Sequence, residues 1–330
     1  MKQHFKRSGM KLKAVCAFLI VIVALLGLYC GGRWLETRGN NPEPRGDYQK
    51  RKANEAMVTY NGMVFRQRKN LTSILLMGID QQSGENGGQA DFLQLIVIDD
   101  TAGTVKRLPI DRDTMTPITV LGVLGNRSGM RTAQVSLSHG FGDGKEQSCE
   151  LTAEAVSNLL FSMPVDYYLA MTLDGISALN EIAGGVTVTL EDDFSSIDPS
   201  MTKGTTLTLH GDQAEVYIRS RRNMGVGTNE ARMARQEQYV IKLFSQLDAR
   251  MRGDQRFSGV MFDTLSPYLT TNIGRGRLIN VIWQAKDYTR LEPLSITGTH
   301  RVGGDGFTQF YADEASLYEA VLDLFYEEVK

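Results

Sequence analysis

Residues 71–114, LTSILLMGIDQQSGENGGQADFLQLIVIDDTAGTVKRLPIDRDT, decide the fold of this chain. They contain three apolar runs of strand length, each rich in leucine or β-branched residues and each bounded by Gly, Asp or Asn. The runs cover residues 71–79, 92–98 and 104–110. The tight turn DDTAG joins the second run to the third. We therefore expect a meander of neighbouring antiparallel strands.

Strand direction alternates in such a meander. The end of the first strand, the start of the second and the end of the third then share one rim of the sheet. Asp80, Asp91 and Arg112 occupy those three positions. The sequence thus predicts that two carboxylates and a guanidinium meet at one rim.

Helical and strand patterns alternate through the rest of the chain. Helices are predicted over residues 150–161, 175–182, 211–218 and 229–252, and strands over 165–173 and 186–190. Residues 260–330 are expected to add helices. This order favours an αβα sandwich with one central, mostly antiparallel or mixed sheet.

The N-terminus predicts a single transmembrane helix ahead of that domain. Five basic residues precede an apolar run at 14–30, and Gly31, Gly32 and Trp34 extend it to roughly the 20 residues that span a bilayer. Basic residues before the run place the N-terminus in the cytoplasm. We expect a cytoplasmic tail at 1–13, an anchor at 14–34, an extracellular linker at 35–56 and an extracellular domain at 57–330. A cleaved signal peptide or a lipid-modified Cys30 is disfavoured, since no small residues precede a cut site and Tyr29 is large.

Composition restricts the partners and the compartment. The net charge of −2 provides no basic field for nucleic acid, so nucleic acid is excluded as a partner and anion binding must come from local arginines. Cys149 is the one cysteine outside the anchor, which rules out a disulfide framework in the domain. An exported domain without disulfides suits a Gram-positive type of envelope.

Asp80 and Asp91 flank a loop rich in Gly and Gln. Two carboxylates at strand ends can hold Mg²⁺, which takes one or two carboxylates together with phosphate oxygens. The alternative is that both are ordinary turn aspartates.

Arginines supply the groups that could bind phosphate. Arg112 directly follows a strand, and its planar guanidinium suits a phosphate, although a structural ion pair with Asp111 or Asp113 is equally compatible. Further candidates cluster between residues 217 and 236: Arg219, Arg221, Arg222, Arg232, Arg235 and Gln236. The alternative for this cluster is a charged helix surface paired with nearby glutamates. No nucleophilic triad, zinc spacing or nucleotide loop is visible, so the chemistry must come from positioning and charge neutralisation.

These motifs together resemble the LytR-CpsA-Psr (LCP) proteins of bacterial envelopes. The resemblance rests on ILLMGID, QADFLQLIVID, RLPIDRDT, VDYYLAMTLDGISALNEIAGGVTVTL, LHGDQAEVYIRSRR and ARMARQEQ, in that order from residue 74 to 238. It implies a phosphotransferase that moves a glycopolymer, such as teichoic acid or capsule, from a polyprenyl-pyrophosphate carrier to peptidoglycan, with pyrophosphatase activity as a side reaction. It further implies Mg²⁺ or Mn²⁺ on Asp80 and Asp91 and a lipid tunnel through the core. In the mechanism that we expect, an aspartate assists as base. Asp80, Asp91 and Arg112 would be catalytic, and the pyrophosphate would be held by Arg112, Arg219, Arg221, Arg232, Arg235 and Gln236.

Two departures from the family pattern qualify this expectation. The family usually has Arg-Ser-Asp where this chain has Gln-Ala-Asp at 89–91, so Gln89 brings no charge to the phosphates. Arg131 or Arg222 could take over that role. Residues 119–141 also fit poorly, and Gln134-Val135-Ser136 replaces the usual Lys-Ile-Asn. The alternative function is therefore a non-catalytic protein that binds polyprenyl phosphates or scaffolds an envelope complex.

Overall fold

A computed structural model describes residues 57–81, 87–122, 124–172, 174–219, 235, 238–239, 242–243, 246, 250, 257–285, 287–304 and 306–329. The predicted tail, anchor and linker at 1–56 lie outside these residues, as does most of the predicted long helix at 229–252. Within the described part of the chain, no helix has the length and apolar character needed to cross a membrane.

The described residues form strands and helices in mixed order. The strands are β1 Met57–Tyr60, β2 Met63–Gln67, β3 Leu71–Asp80, β4 Gln89–Asp99, β5 Thr104–Ile110, β6 Met115–Leu121, β7 Arg127–Gln134, β8 Tyr167–Thr172, β9 Val186–Thr189, β10 Thr206–Leu209, β11 Leu269–Thr271, β12 Thr289–Arg290, β13 Gly298–Val302, β14 Thr308–Ala312 and β15 Tyr326–Glu328. The α-helices are α1 Glu146–Leu159, α2 Gly175–Ala183, α3 Gln213–Arg219, α4 Phe257–Leu265, α5 Arg275–Gln284 and α6 Glu314–Phe325. Two 3-10 helices cover Val135–Phe141 and Ser266–Tyr268.

The central sheet has six strands in the order β11-β8-β3-β4-β5-β12. β3, β4 and β5 pair antiparallel in sequence, and β12 pairs parallel with β5, so the sheet is mixed. The predicted meander and the mixed α/β class are both confirmed. β4 begins three residues earlier than the sequence pattern indicated, because Gln89 and Ala90 still pair with β3.

The chain divides into two compact units. The sheet unit contains the described residues up to Ala170, residues 270–278 and the described residues from Asp287 onward. Its core packs alternate residues of β3 and β4, such as Leu75 and Leu95, against apolar side chains of α1 and α6. Cys149 is a free, buried thiol in this core.

The other unit contains the described residues of 171–269 and 279–286. Asn180 of α2 organises part of it, since its side-chain amide donates to Leu209 O at 2.7 Å and its Oδ1 accepts from Val186 N at 3.2 Å. Tyr239 Oη donates to the same Oδ1 at 3.1 Å. One buried amide therefore connects the β9–β10 hairpin to the helical residues of this unit.

The last part of the chain departs from the expectation that it only adds helices. β13 and β14 form an antiparallel hairpin, and β15 joins β2 and β1 in a three-stranded sheet. β13 was missed because its five residues are all exposed and carry no alternating apolar pattern.

Candidate functional site

Asp80 and Asp91 lie at one rim of the central sheet, at the end of β3 and near the start of β4. Asp80 pairs with Gln89, but the register then jumps, so that Gly78 pairs with Phe92 and Ile79 with Ala90. Asp91 is the extra residue of this β-bulge, because the register passes from Ala90 directly to Phe92. Bulges of this kind redirect a side chain, often beside an active site. The sequence predicted the shared rim but not the bulge.

Arg112 follows β5 and reaches back to this rim. Its Nη1 forms an ion pair with the Asp91 carboxylate, and its Nη2 donates to Gln89 Oε1 at 2.6 Å. Its Nε lies 3.7 Å from Asp113 Oδ1. The side chain remains 34% exposed, so solvent still reaches the guanidinium. The structure thus brings together Asp91 and Arg112, with Gln89 as an additional acceptor.

The turn that carries Arg112 is held by its own hydrogen bonds. Asp111 Oδ1 accepts from Asp113 N at 2.9 Å, and Thr114 Oγ1 donates to Asp111 O at 2.6 Å. Burial and the neighbouring Asp111 raise the pKa of the Asp113 carboxyl, while Arg112 and His300 oppose that shift. These bonds preset the backbone from which the guanidinium extends.

Gly88 and His139 fix the chain just before β4. Gly88 has φ +87°, and a Cβ there would lie 2.4 Å from Asp80 O, so only glycine fits against the end of β3. His139 Nδ1 lies 3.2 Å from Gly88 O, which assigns the proton to Nδ1. Burial lowers the pKa of His139. Sequence reasoning missed His139, because its partner Gly88 is distant in the chain and no metal spacing marks it.

The arginines predicted between residues 219 and 236 are only partly described. Arg219 ends α3, and nothing further is described for its side chain. Arg221, Arg222, Arg232 and Gln236 lie outside the described residues. Their roles remain predictions.

Arg235 is described, and it is buried at 4% exposure. It forms an ion pair with Asp192, and its Nε donates to Tyr217 O at 3.1 Å. Its Cζ lies 5.4 Å from the centre of the Phe194 ring. These contacts all lie within the unit that contains Arg235.

Arg131, which the sequence offered as a substitute for the missing family arginine, lies on β7. Its Cζ stands 4.9 Å over the Phe141 ring. This is a cation–π contact. That Arg131 takes over the role of the family arginine remains a prediction.

The carboxylates at the rim suit a hard cation that takes only one or two ligands from the protein. Two carboxylates, Asp80 and Asp91, match the one or two that Mg²⁺ takes when phosphate oxygens and water complete its shell. The part of the chain that the structure describes contains no group of three or more His, Cys, Asp or Glu side chains suited to a metal. The described side chains therefore do not suit a cation whose ligands all come from the protein. They suit a cation whose coordination shell is completed by the substrate.

Comparison with known proteins identifies the family of this chain. A model of the LytR_cpsA_psr family matches residues 38–323. The chain belongs to the LytR-CpsA-Psr family. Among LCP relatives, the polyisoprenyl-teichoic acid–peptidoglycan teichoic acid transferase TagU of Bacillus subtilis is 26% identical over 321 residues, covering 95% of this chain and 96% of that protein. The TagU of Bacillus licheniformis is 27% identical over 257 residues, 76% of each chain.

Solved structures share the LCP fold with this chain. B. subtilis TagV aligns with a TM-score of 0.53 at 24% identity, over 78% of this chain and 96% of TagV. A protein from Streptococcus agalactiae aligns with a TM-score of 0.56 at 22% identity, over 77% of this chain and 87% of its own.

Proposed function

We propose that this LCP protein transfers a cell-wall glycopolymer from a polyprenyl-pyrophosphate carrier to peptidoglycan. The observation that carries the proposal is the bulge that presents Asp91 to Arg112 at a solvent-accessible rim. A guanidinium and a carboxylate in that arrangement suit a pyrophosphate with its counter-cation. The TagU relatives are named as teichoic acid transferases, which supports teichoic acid or a related polymer as the cargo.

The chain's own residues would act by positioning and charge. Arg112 would hold phosphate oxygens, with Gln89 orienting the guanidinium through its Oε1 contact. The arginines at 219, 221, 232 and 235 and Gln236 remain proposed pyrophosphate-binding residues, although Arg235 would first have to exchange its contact with Asp192. Asp80 and Asp91 would hold Mg²⁺ or Mn²⁺, which would neutralise phosphate charge when bound.

The reaction is a phosphoryl transfer. A peptidoglycan sugar hydroxyl attacks the phosphorus linked to the glycopolymer, and the bond from that phosphorus to the polyprenyl phosphate breaks. The leaving polyprenyl phosphate keeps the bonding electrons. Charge builds on its oxygens, where Arg112 can stabilise it. Water in place of the sugar would give the pyrophosphatase side reaction.

The substrates also fit the proposed topology. We propose that residues 14–34 anchor the chain in the cell membrane, with residues 1–13 in the cytoplasm and the domain outside. A lipid carrier and peptidoglycan would then both lie within reach of the domain.

Gln89 favours a second candidate function. It brings no positive charge to a position where the family usually has arginine, and a charge-assisted hydrogen bond contributes about 1.5–3 kcal/mol. A protein with reduced transferase activity would still bind polyprenyl phosphates and could serve the envelope as a carrier-binding or scaffolding protein.

One experiment separates the two functions. The full chain in detergent would be given a short-chain polyprenyl-pyrophosphate disaccharide with peptidoglycan fragments, with and without Mg²⁺, and release of polyprenyl phosphate would be measured. We expect metal-dependent release that Asp91→Ala abolishes. Asp100→Ala is the matched control, because Asp100 lies beyond the opposite end of β4 and should leave release unchanged. Lipid binding without release in the unaltered protein would favour the carrier-binding function.

A further inference from the structure

The β13–β14 hairpin packs against the turn that carries Arg112. Phe310 N donates to Asp113 O at 2.8 Å, and Thr114 forms a parallel bridge with Phe310. The hairpin is far from the turn in sequence, yet a backbone hydrogen bond joins the two directly. Side chains at the base of this hairpin therefore lie beside the proposed site.

His300 of β13 is the titratable side chain that the hairpin brings to the turn. Its Nε2 lies 2.9 Å from Asp111 Oδ2, and its ring stacks on Phe310 with centroids 4.6 Å apart. The imidazole is 43% exposed, whereas Asp111 is 18% exposed. One nitrogen is thus bound to a half-buried carboxylate while much of the ring faces solvent.

The arrangement matches the orienting pair used in acyl and phosphoryl transfer. A carboxylate that accepts from one imidazole nitrogen fixes the tautomer and leaves the lone pair of the other nitrogen available. Here Asp111 fixes the proton on Nε2, so Nδ1 is the basic atom. The same carboxylate offsets the positive charge that the ring gains on taking a proton.

We propose that His300 is the general base of the transfer reaction, oriented by Asp111. This inference rests on the proposed function. The acceptor sugar O–H gives its proton to His300 Nδ1 as its oxygen bonds to the glycopolymer-linked phosphorus. The bond from that phosphorus to the polyprenyl phosphate breaks, and the leaving group carries away the electron pair. The proton on His300 then passes to solvent or to the departing phosphate.

Other groups near the rim serve this role less well. Asp91 is already paired with Arg112, and His139 is 1% exposed with Nδ1 bonded to Gly88 O. His300 Nε2 lies 2.9 Å from Asp111 Oδ2, and Arg112 Nε lies 3.7 Å from Asp113 Oδ1. Both side chains therefore contact the same short turn that follows β5.

The test uses His300→Gln in the full chain. The Gln amide can still donate to Asp111, so a purely structural pair would be preserved, but the amide cannot take a proton. General bases contribute typically about 10²–10⁴-fold, so we expect kcat to fall at least about a hundredfold with little change in KM for the lipid substrate. His210→Gln is the matched control, since His210 is also exposed and also paired with a carboxylate, that of Glu181.

The pH dependence of polyprenyl phosphate release is a second test, because it would not change if His300 had only a structural role. In the described part of the chain, His300 contacts Asp111 of the turn and the Phe310 ring of β14, and it interacts electrostatically with Asp113. A general base acts only in its unprotonated form, so the pH dependence that it gives to release should be lost in His300→Gln. Thermal unfolding of each variant checks the fold.

The outcomes are distinct. If the unaltered protein releases polyprenyl phosphate and His300→Gln matches it within a few fold, or keeps the same pH profile, His300 is not the base although the proposed function stands. If the unaltered protein releases none, the proposed function fails and the role of His300 fails with it. A hundredfold loss of kcat with a flattened profile supports the proposal.

Discussion

Arg112 and Arg235 were both predicted from the sequence to bind pyrophosphate, yet their surroundings differ in kind. Arg112 is 34% exposed and held by an ion pair with Asp91 at the sheet rim. Arg235 is 4% exposed and paired with the nearly buried Asp192 in the other unit. Both guanidiniums have a carboxylate partner, but only the first has solvent access. Exposure, which a sequence does not state, separates an arginine available to a ligand from one that stabilises its own unit.

The largest expected effect is on stability at Arg235. Arg235→Leu leaves the Asp192 carboxylate buried without its partner, and breaking a buried pair costs about 3–5 kcal/mol. Urea unfolding of the purified full chain would measure the loss. The double change Arg235→Leu with Asp192→Leu removes both charges and should recover most of it. A loss below about 1 kcal/mol in the single variant would show that Arg235 is not a structural arginine.

Activity should respond next, at Arg112. Arg112→Leu removes charge from the proposed phosphate site, and loss of one such stabilising group costs about 10²–10³-fold in kcat. Stability should change little, because pairs with solvent access contribute roughly 0–1 kcal/mol. Arg127→Leu is the control, since Arg127 also pairs with a carboxylate, that of Glu154. Equal losses of polyprenyl phosphate release in both variants would contradict the assignment.

The smallest expected effect is at Gln89. Gln89→Leu removes the Oε1 that accepts from Arg112 Nη2 but leaves the ion pair with Asp91. A hydrogen bond of this kind contributes on the order of 1 kcal/mol, so kcat should fall by up to about tenfold. Release assays under the conditions used for Arg112→Leu would measure it. A loss as large as that of Arg112→Leu would mean that Gln89 does more than orient the guanidinium.

The meander and its rim were predictable because apolar runs and a tight turn are local signals. β3, β4 and β5 pair as the sequence indicated. The bulge at Asp91 was not predictable, since no pattern of residues marks the register shift between β3 and β4. The contacts of His139 and His300 join segments 51 and 189 residues apart, and no periodicity reports such distances. The predicted helix at 150–161 was wrong in its bounds, because α1 begins at Glu146 and ends at Leu159.

The bulge at Asp91 has a consequence for how this site can vary between relatives. Surface loops gain and lose residues readily. A change of length inside residues 81–87 would be absorbed before Gly88, where the chain is pinned to Asp80 O and His139. The pairing that begins at Gln89 would then keep its register, and the Asp91 carboxylate would keep its direction. Residues 81–87 could thus diverge in length and composition while the chemistry beside them stays unchanged.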